Sequence, residues 1–331
     1  MWWGPVGPWL KPETKSPPLP PRRLFLAHTR VLLLDEALTR DGVSKVLDHL
    51  IRNREVRREI VWIFVAVDDP IVILDVPAPI AICSADRIDQ IMRARLPGQY
   101  FPRVRLTEFL REMEAEGADP FAPLIALASN EAFQQVTRLP QDPSPEPLHN
   151  IKIEGTGVFR GDRLVGFLNR SQTQGLLFAR GEALQGRFVF VEPEMDCLIT
   201  VGQLRNRGSV IPRLGEDGRI AAEIRVEFEV FLEQIECNLD VGQPDVMQRL
   251  EELLANQIRE QIYSALAVSR RTGSDFFGLG SAVHRADPAR WKEVRERWRD
   301  EFLPTIDIDV IVEGRIRDTG TIVKPLEPPL R

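Results

Sequence analysis

Residues 151–168 read IKIEGTGVFRGDRLVGFL, and this stretch predicts a β-hairpin. Apolar and polar residues alternate from Ile151 to Phe159, as they do in a strand with one buried face. Arg160 and Gly161 have the composition of a tight turn, and the chain returns as a second strand up to Leu168. A hairpin of this kind favours an antiparallel sheet in the second half of the chain.

The segments that follow the hairpin alternate between helical and strand patterns. Further strands are predicted at 187–191, 197–204, 220–232 and 305–316, and helices at 172–180, 245–270 and 288–302. The helix at 245–270 carries apolar residues every three or four positions, which is typical of a helix that covers a sheet. The polar stretch around Gly208 and Ser209 is expected to be a loop.

The first half of the chain predicts a βαβ unit. A helical pattern from Val43 to Ile51 lies between two apolar runs at 24–34 and 60–67. The second run, IVWIFVAV, is almost wholly apolar, as a strand covered on both faces is. The right-handed crossover rule then favours two parallel strands with the helix packed on one face.

The clearest boundary in the chain is LPQDPSPEP at 139–147, which holds four prolines in nine residues. The patterns predict an α+β, multidomain protein whose sheets are mixed, mainly antiparallel and packed against helices. It is divided into a Pro-rich disordered tail, a βαβ domain, a small helical or mixed middle domain, a C-terminal α+β domain and a short tail. Their limits are 1–23, 24–75, 76–146, 147–326 and 327–331.

Charge and composition exclude several classes of function. A formal net charge of −6 leaves no broad basic surface for nucleic acid. No stretch reaches the eighteen apolar residues of a membrane span, and no signal peptide opens the sequence, so the chain as written is expected to be soluble. The cysteines Cys83, Cys197 and Cys237 are an odd number, far apart in sequence, and are expected to be free thiols.

The sequence contains no pattern that predicts a catalytic, cofactor or metal site. The histidines His28, His49, His149 and His284 have no ligand spacing, and there is no Walker loop and no GxSxG elbow. Gly155-Thr156-Gly157 does not open a helix and so cannot form a dinucleotide cradle, and its glycines are expected to shape a strand or a bulge.

Two groups of residues leave an alternative open. Glu192, Glu194 and Asp196 could supply an acid and a base or a cation site, but Pro193 among them favours a solvated turn. Trp291, Trp298 and Phe302 form one aromatic stripe, for which core packing is the default and a partner-binding groove the sharper alternative.

Two longer segments carry a resemblance to a known family. GTGVFRGDRLVGFLNRSQTQGLLF at 155–178 resembles the signature of the Ger(x)C family, in which a charged turn separates G-x-x-V-F from D-x-L-V-G-x-L. SDFFGLGSAVHRADPARWKEVRERW at 274–298 is similar to its second hallmark, an Asp before F-G-x-G, a basic residue and two tryptophans around a helix. The stretch from Leu32 to Val67 resembles the family's N-terminal region, with Asp35 where a glycine is expected.

The resemblance covers about residues 24–326 and implies a non-enzymatic C subunit of a spore germinant receptor. Such a subunit is a three-domain α+β lipoprotein on the outer face of the spore inner membrane. It works with integral-membrane subunits of A and B type and meets the germinant, a small nutrient, only indirectly. Members begin with a signal peptide and a lipobox cysteine, and both are missing here, because Cys83 lacks the small residue that must precede it. The chain is therefore interpreted as N-terminally truncated, with 24–75 a remnant of the family's first domain.

The motif residues carried over as structural or partner-binding are Gly155, Gly157, Phe159, Asp162, Leu164, Gly166, Leu168, Gly175, Asp275, Gly278, Gly280, His284, Trp291 and Trp298. Asp162 is expected to fix the hairpin turn, the glycines to permit close backbone approach, and the tryptophans to bury apolar area. Two rival functions remain. One is a soluble small-molecule binder with a pocket between domains, and the other is a cryptic hydrolase that uses the acidic residues near Pro193.

Overall fold

A computed structural model describes residues 25–78, 81–94, 101–128, 150–183, 187–193, 196–215, 219–237 and 239–317. It contains two β-sheets that pack against helices, which confirms the predicted α+β class. The predicted tails at 1–23 and 327–331 and the proline-rich boundary at 139–147 lie outside the described residues.

The first sheet confirms the predicted βαβ unit and the predicted hairpin. Its strands lie side by side in chain order and are β1 Val31–Asp35, β2 Trp62–Ala66, β3 Phe121–Leu127, β4 Ile151–Arg160 and β5 Arg163–Leu168. The strands β1, β2 and β3 are parallel, whereas β3, β4 and β5 are antiparallel. All five residues of β2 are buried, as expected for a strand between two layers.

Helices cover both faces of the first sheet. They are α1 Glu36–Asp41, α2 Ser44–Arg52, α3 Pro70–Asp75, α4 Ser84–Ala94 and α5 Leu106–Glu114. Ile63 and Val65 of β2 belong to the core that includes Leu47 of α2, while Trp62 and Phe64 belong to a second core that includes Ile88 of α4. Successive side chains of a strand point to opposite faces, so one apolar run serves both cores.

The second sheet is built on one long hairpin. Its order is β6-β7-β8-β9, with β6 Phe188–Glu192, β7 Cys197–Leu214, β8 Ile220–Ile235 and β9 Asp307–Arg317. The pairs β6–β7 and β7–β8 are antiparallel, and β8–β9 is parallel. The loop predicted around Gly208 and Ser209 was wrong, because β7 continues through it. The strand β6 reaches only residues 197–201 of β7, so Pro212 lies at a sheet edge, where its missing N–H is tolerated.

The remaining helices join the two sheets. They are α6 Arg170–Ala179, α7 Pro244–Thr272, α8 Leu279–Ala286, α9 Pro288–Val294 and the short α10 Leu303–Thr305. The helix α7 packs against α6 and β9. The helix predicted over 288–302 is interrupted, because α9 ends at Val294 and a π-helical turn follows at Trp298–Phe302.

The expectation of free thiols was wrong for two of the three cysteines. Cys197 and Cys237 form a disulfide with a Cα–Cα distance of 5.6 Å, and Cys83 is an exposed free thiol. Ile199 of β7 pairs with Ile235 of β8, and an extension of that register by two residues brings the two cysteines opposite each other. An odd number of cysteines still allows one disulfide, with Cys83 left unpaired. Cysteines 40 residues apart can also meet when two paired strands bring them together.

The first sheet contains strands from both sides of the predicted boundary at 139–147, because β3 hydrogen-bonds to β4. The domain limits therefore stay a prediction. Within the ranges that the structure describes, no helix combines the length and the apolar character needed to cross a membrane.

Candidate functional site: the junction of the two motif segments

The turn of the motif hairpin is held by residues from elsewhere in the chain. Gly161, with φ 61°, donates its backbone N–H to Asp119 Oδ1 at 2.7 Å. The backbone carbonyl of Asp162 accepts the N–H of Val43 at 3.0 Å, and its side-chain Oδ2 accepts the N–H of Ser44 at 3.3 Å. Asp162 therefore connects the hairpin to the start of α2, and its expected role in fixing the turn stays a prediction.

The second motif segment is organised around the buried carboxylate of Asp275. Its Oδ1 accepts the N–H of Leu279 at 2.9 Å, and its Oδ2 accepts the N–H of Gly280 at 2.7 Å. The indole Nε1 of Trp298 donates to the same Oδ2 at 2.8 Å. One side chain therefore fixes the first turn of α8 and orients a tryptophan from the π-helical turn.

Asp119 connects the two motif segments. Its Oδ2 accepts the backbone N–H of Asp275 at 2.8 Å, while its Oδ1 holds the hairpin turn. The guanidinium of Arg299 binds both oxygens, with Nε at 3.1 Å and Nη2 at 2.6 Å. Asp119 is 0% exposed, and a bidentate arginine of this kind compensates a buried carboxylate.

The electrostatics of the junction are set by burial. Burial raises the pKa of Asp275 to about 6, against the lowering effect of the N–H groups of Gly280, Trp298 and Leu279. The carboxylate of Asp119 adds a smaller upward effect on this pKa. The carboxylate of Asp275 therefore stabilises the local fold, because its oxygens accept hydrogen bonds from groups of the same chain.

The two tryptophans of the motif lie in the core around Asp275. Trp291 and Trp298 are 3% and 1% exposed, and their ring centroids are 5.5 Å apart. His284 stacks on Trp291 at 6.0 Å, and Phe302, which is partly buried, stacks on Trp298 at 6.2 Å. The aromatic stripe predicted for one helix is thus a buried cluster assembled from α8, α9 and the π-helical turn.

Close backbone approach is required at two of the motif glycines. A Cβ on Gly280 would lie 2.8 Å from the rings of both Trp291 and Trp298. A Cβ on Gly175 in α6 would lie 2.4 Å from the backbone of Gln261 in α7. Glycine at these positions lets the tryptophans reach the α8 backbone and lets α6 cross α7 in contact.

The other motif residues pack around the same junction. A Cβ on Gly166 would lie 3.1 Å from Thr272 Cγ2, at the end of α7. Gly278, with φ 74°, precedes α8, and Gly155, with φ 77°, lies within β4. Buried or closely packed positions along the hairpin are also held by Gly157, Phe159, Leu164 and Leu168.

Sequence reasoning missed Gly117, Asp119 and Arg299. A Cβ on Gly117 would lie 2.4 Å from the backbone of Gly280, and the Gly117 carbonyl accepts the N–H of Ser281 at 2.7 Å. Nothing in the local sequence of these residues distinguishes them from ordinary turn and surface residues. Only their distance from the motif segments in space identifies them.

The acidic residues near Pro193 do not form a solvated turn throughout. Glu192 is 0% exposed and lies 3.7 Å from Arg249, whereas Asp196 is exposed with φ 47°. Glu194 lies outside the described residues. Of the two described residues, Glu192 is therefore buried and Asp196 faces solvent. No group of three or more metal-ligating side chains occurs among the residues with assigned positions.

Comparisons with known proteins match both halves of the chain. Residues 154–320 match the family described as Spore germination B3/GerAC like, C-terminal, and residues 20–127 match the Spore germination protein N-terminal domain. The junction lies within these two matches, with Asp119 in the N-terminal match and both motif segments in the C-terminal match.

Relatives from Bacillus subtilis (strain 168) extend over most of the chain. Spore germination protein KC is 21% identical over 311 residues, which is 92% of this chain and 75% of the relative. Spore germination protein B3 is 23% identical over 319 residues, covering 94% of this chain and 77% of the relative. The crystal structure of the GerBC protein has a similar fold, with a TM-score of 0.65 at 19% identity over 88% of this chain and 79% of that one.

Proposed function

The chain belongs to the family of GerAC-like spore germination proteins, and from this premise we propose that it is a non-catalytic subunit of a germinant receptor. It assembles with integral-membrane subunits of A and B type and takes part in the response of the spore to small nutrients. The relatives that match most of the chain are named as germination proteins.

The junction around Asp119 and Asp275 is the observation that carries this proposal. Both buried carboxylates are engaged by backbone N–H groups, an indole and a guanidinium of the same chain. Groups engaged in this way make a rigid scaffold, whereas a general acid or base must face a substrate. The residues from 148 to 326 would present this scaffold to the partner subunits.

The disulfide supports a position outside the cytoplasm. Cys197 and Cys237 are bonded, and such bonds persist in oxidising compartments. We therefore propose that the protein lies on the outer face of the spore inner membrane, the position of the lipid-anchored members of the family, and associates with the membrane through its partner subunits. The acidic net charge of −6 agrees with a protein partner rather than a nucleic acid.

Co-purification tests the assembly. The chain with a C-terminal affinity tag is recovered from detergent extracts of spore membranes, and mass spectrometry is expected to find A- and B-type germination subunits with it. The matched control is an unrelated tagged spore lipoprotein. Recovery of the chain without integral-membrane germination proteins, or normal nutrient germination of spores that lack its gene, would contradict the proposal.

A complementation experiment separates assembly from catalysis. A chain with Glu192→Gln and Asp196→Asn keeps side-chain volume but removes both described carboxylates near Pro193. An assembly subunit with these changes still restores germination in a strain that lacks the gene. A hydrolase that depends on these carboxylates does not.

A further inference from the structure

A cleft lies beside the junction where four parts of the fold meet. It has a volume of about 480 Å³. Its walls come from the end of α5, the end of α6, the middle of β7 and one side of α8, and its lining includes Arg111, Glu112, Arg180, Ser209, Phe277 and Arg285. This volume is in the range of sites for small molecules.

The polar lining of the cleft is positive although the protein is acidic. Three arginines against one glutamate give the lining a formal charge of +2, in a chain of net charge −6. Arg180 is neutralised, because its guanidinium contacts Glu112 at 2.8 Å and Glu182 at 2.9 Å. The excess positive charge therefore comes from the other two arginines.

The guanidinium groups of Arg111 and Arg285 are accessible. Arg111 has a side chain that is 68% exposed and lies 3.7 Å from Glu112, whose same Oε1 atom already binds Arg180. Arg285 is exposed, and it has no ionic partner within the described ranges of the chain. Both can offer paired N–H donors in the planar geometry that matches a carboxylate.

The rest of the lining is apolar side chains, backbone and the hydroxyls of Ser209 and Ser281. The partly exposed Ala115 and Val210 supply apolar surface above the buried Ala118 and Phe277, and Gly278 has open space where a Cβ would project. An inorganic ion would leave this surface wet, whereas an organic anion would cover it.

We infer that this cleft binds a small organic molecule that carries one or two carboxylates. Arg111 and Arg285 hold the carboxylates, and Ala115 with Val210 packs on the carbon skeleton. The inference goes beyond the proposed assembly, and it is measured on the isolated chain, so that its failure leaves the assembly proposal standing.

Calorimetry with succinate and its uncharged analogue succinamide tests the inference on the full chain. Saturable binding of succinate and none of succinamide is expected. Arg111→Gln with Arg285→Gln should weaken succinate binding about tenfold or more, since each removes a charge-assisted contact. The matched control is Arg52→Gln with Arg297→Gln, which removes equal charge from exposed arginines outside the cleft and should bind as the wild type does.

A second variant keeps the test independent of the arginines. Ser209→Phe narrows the cleft while both guanidiniums remain, and it should also abolish binding, whereas Ser209→Ala should retain it. Melting temperatures identify any variant that fails to fold.

Three outcomes would overturn the inference. The first is absence of succinate binding up to about 10 mM, a weak affinity for any specific site. The second is equal weakening by the control pair, which indicates a general charge effect. The third is equally tight binding of inorganic phosphate, which makes the cleft a site for any anion.

Discussion

Asp275 shows how a single buried charge can determine local structure. Its carboxylate receives two backbone N–H groups from α8 and one indole N–H from Trp298. Removal of one donor leaves the remaining buried acceptor under-satisfied, which is more destabilising than the loss of an average hydrogen bond. The tryptophan and the carboxylate therefore support each other.

Replacement of Trp298 by alanine should lower the free energy of unfolding by about 3–5 kcal/mol, as truncation of a buried aromatic side chain does. The ring is 1% exposed, and its loss leaves a cavity beside Asp275. Urea unfolding measures the change, and Trp298→Phe, which retains most of the volume but not the N–H, should be affected less. A Trp298→Ala chain that melts as the wild type does but no longer recovers partner subunits would show that Trp298 acts at an interface instead.

The buried Glu154 should make the stability of the protein depend on pH. It is 5% exposed, and burial raises its pKa from 4.5 to about 7, although Arg170 and Lys152 act in the opposite direction. The folded chain binds this proton more tightly than the unfolded chain, so the stabilising effect is complete below pH 4.5 and is lost as the pH rises to about 7.

Glu154→Gln should therefore flatten the decline in stability between pH 5 and pH 8, a window that follows from the raised pKa of about 7. Urea midpoints at the two pH values measure it. The exposed Glu227→Gln is the matched control and should keep the wild-type slope. Parallel slopes for all three chains would mean that Glu154 titrates alike in the folded and unfolded states.

The contact between α6 and α7 depends on the absence of a side chain. Gly175→Ala places a Cβ within 2.4 Å of the Gln261 backbone, which cannot move without displacing α7. We expect a loss of about 1–3 kcal/mol in the free energy of unfolding, which is typical of overpacking. Ser171→Ala in an exposed part of the same helix is the control and should change stability by less than about 0.5 kcal/mol. A Gly175→Ala chain that is more stable than the wild type would contradict the observed crossing.

The disulfide ties the start of β7 to the end of β8. Cys197→Ser with Cys237→Ser should lower the free energy of unfolding by about 2–5 kcal/mol, mainly because the unfolded chain gains freedom. Thermal melting with and without reductant measures the effect, and reductant should leave the double variant unchanged. Cys83→Ser changes the exposed free thiol and serves as the control. A loss of stability in Cys83→Ser as large as that in the double variant, or no effect of reductant on the melting of the wild type, would refute the bond.

We expect the two sheets to unfold as one cooperative structure, because the junction connects them. The strand β4 pairs with β3 from before residue 139, and Asp119 holds both motif segments. A fragment that begins at residue 147 lacks β3 and Asp119, and its β4 becomes an exposed sheet edge. We expect this fragment to be less stable than the full chain and to aggregate.

Denaturant unfolding of the full chain should show a single transition for the same reason. The chain that begins at residue 24 is the matched control and should unfold as the full chain does, because it retains both sheets. Equal stability of the fragment that begins at residue 147 would instead support the boundary at 139–147 as a division between independent domains.

Local sequence patterns were sufficient to predict the strands, the hairpin and the family resemblance. The apolar run IVWIFVAV and the turn at Gly161 indicate their structures through side-chain period and backbone freedom, which operate within a few residues. The glycines and tryptophans of the two motif segments are recognisable for the same reason. They occur at fixed spacing within continuous stretches of chain.

Only the tertiary structure decided which distant residues meet. Asp119 lies 156 residues from Asp275 in the chain and is bound to it, and Cys197 finds Cys237 only because β7 and β8 pair in one register. Such contacts depend on how sheets and helices pack, and neither the spacing nor the type of a residue encodes them. The pairing of Asp119 with Arg299, the crossing at Gly175 and the arginines of the cleft arise in this way, since burial and proximity are properties of the folded chain.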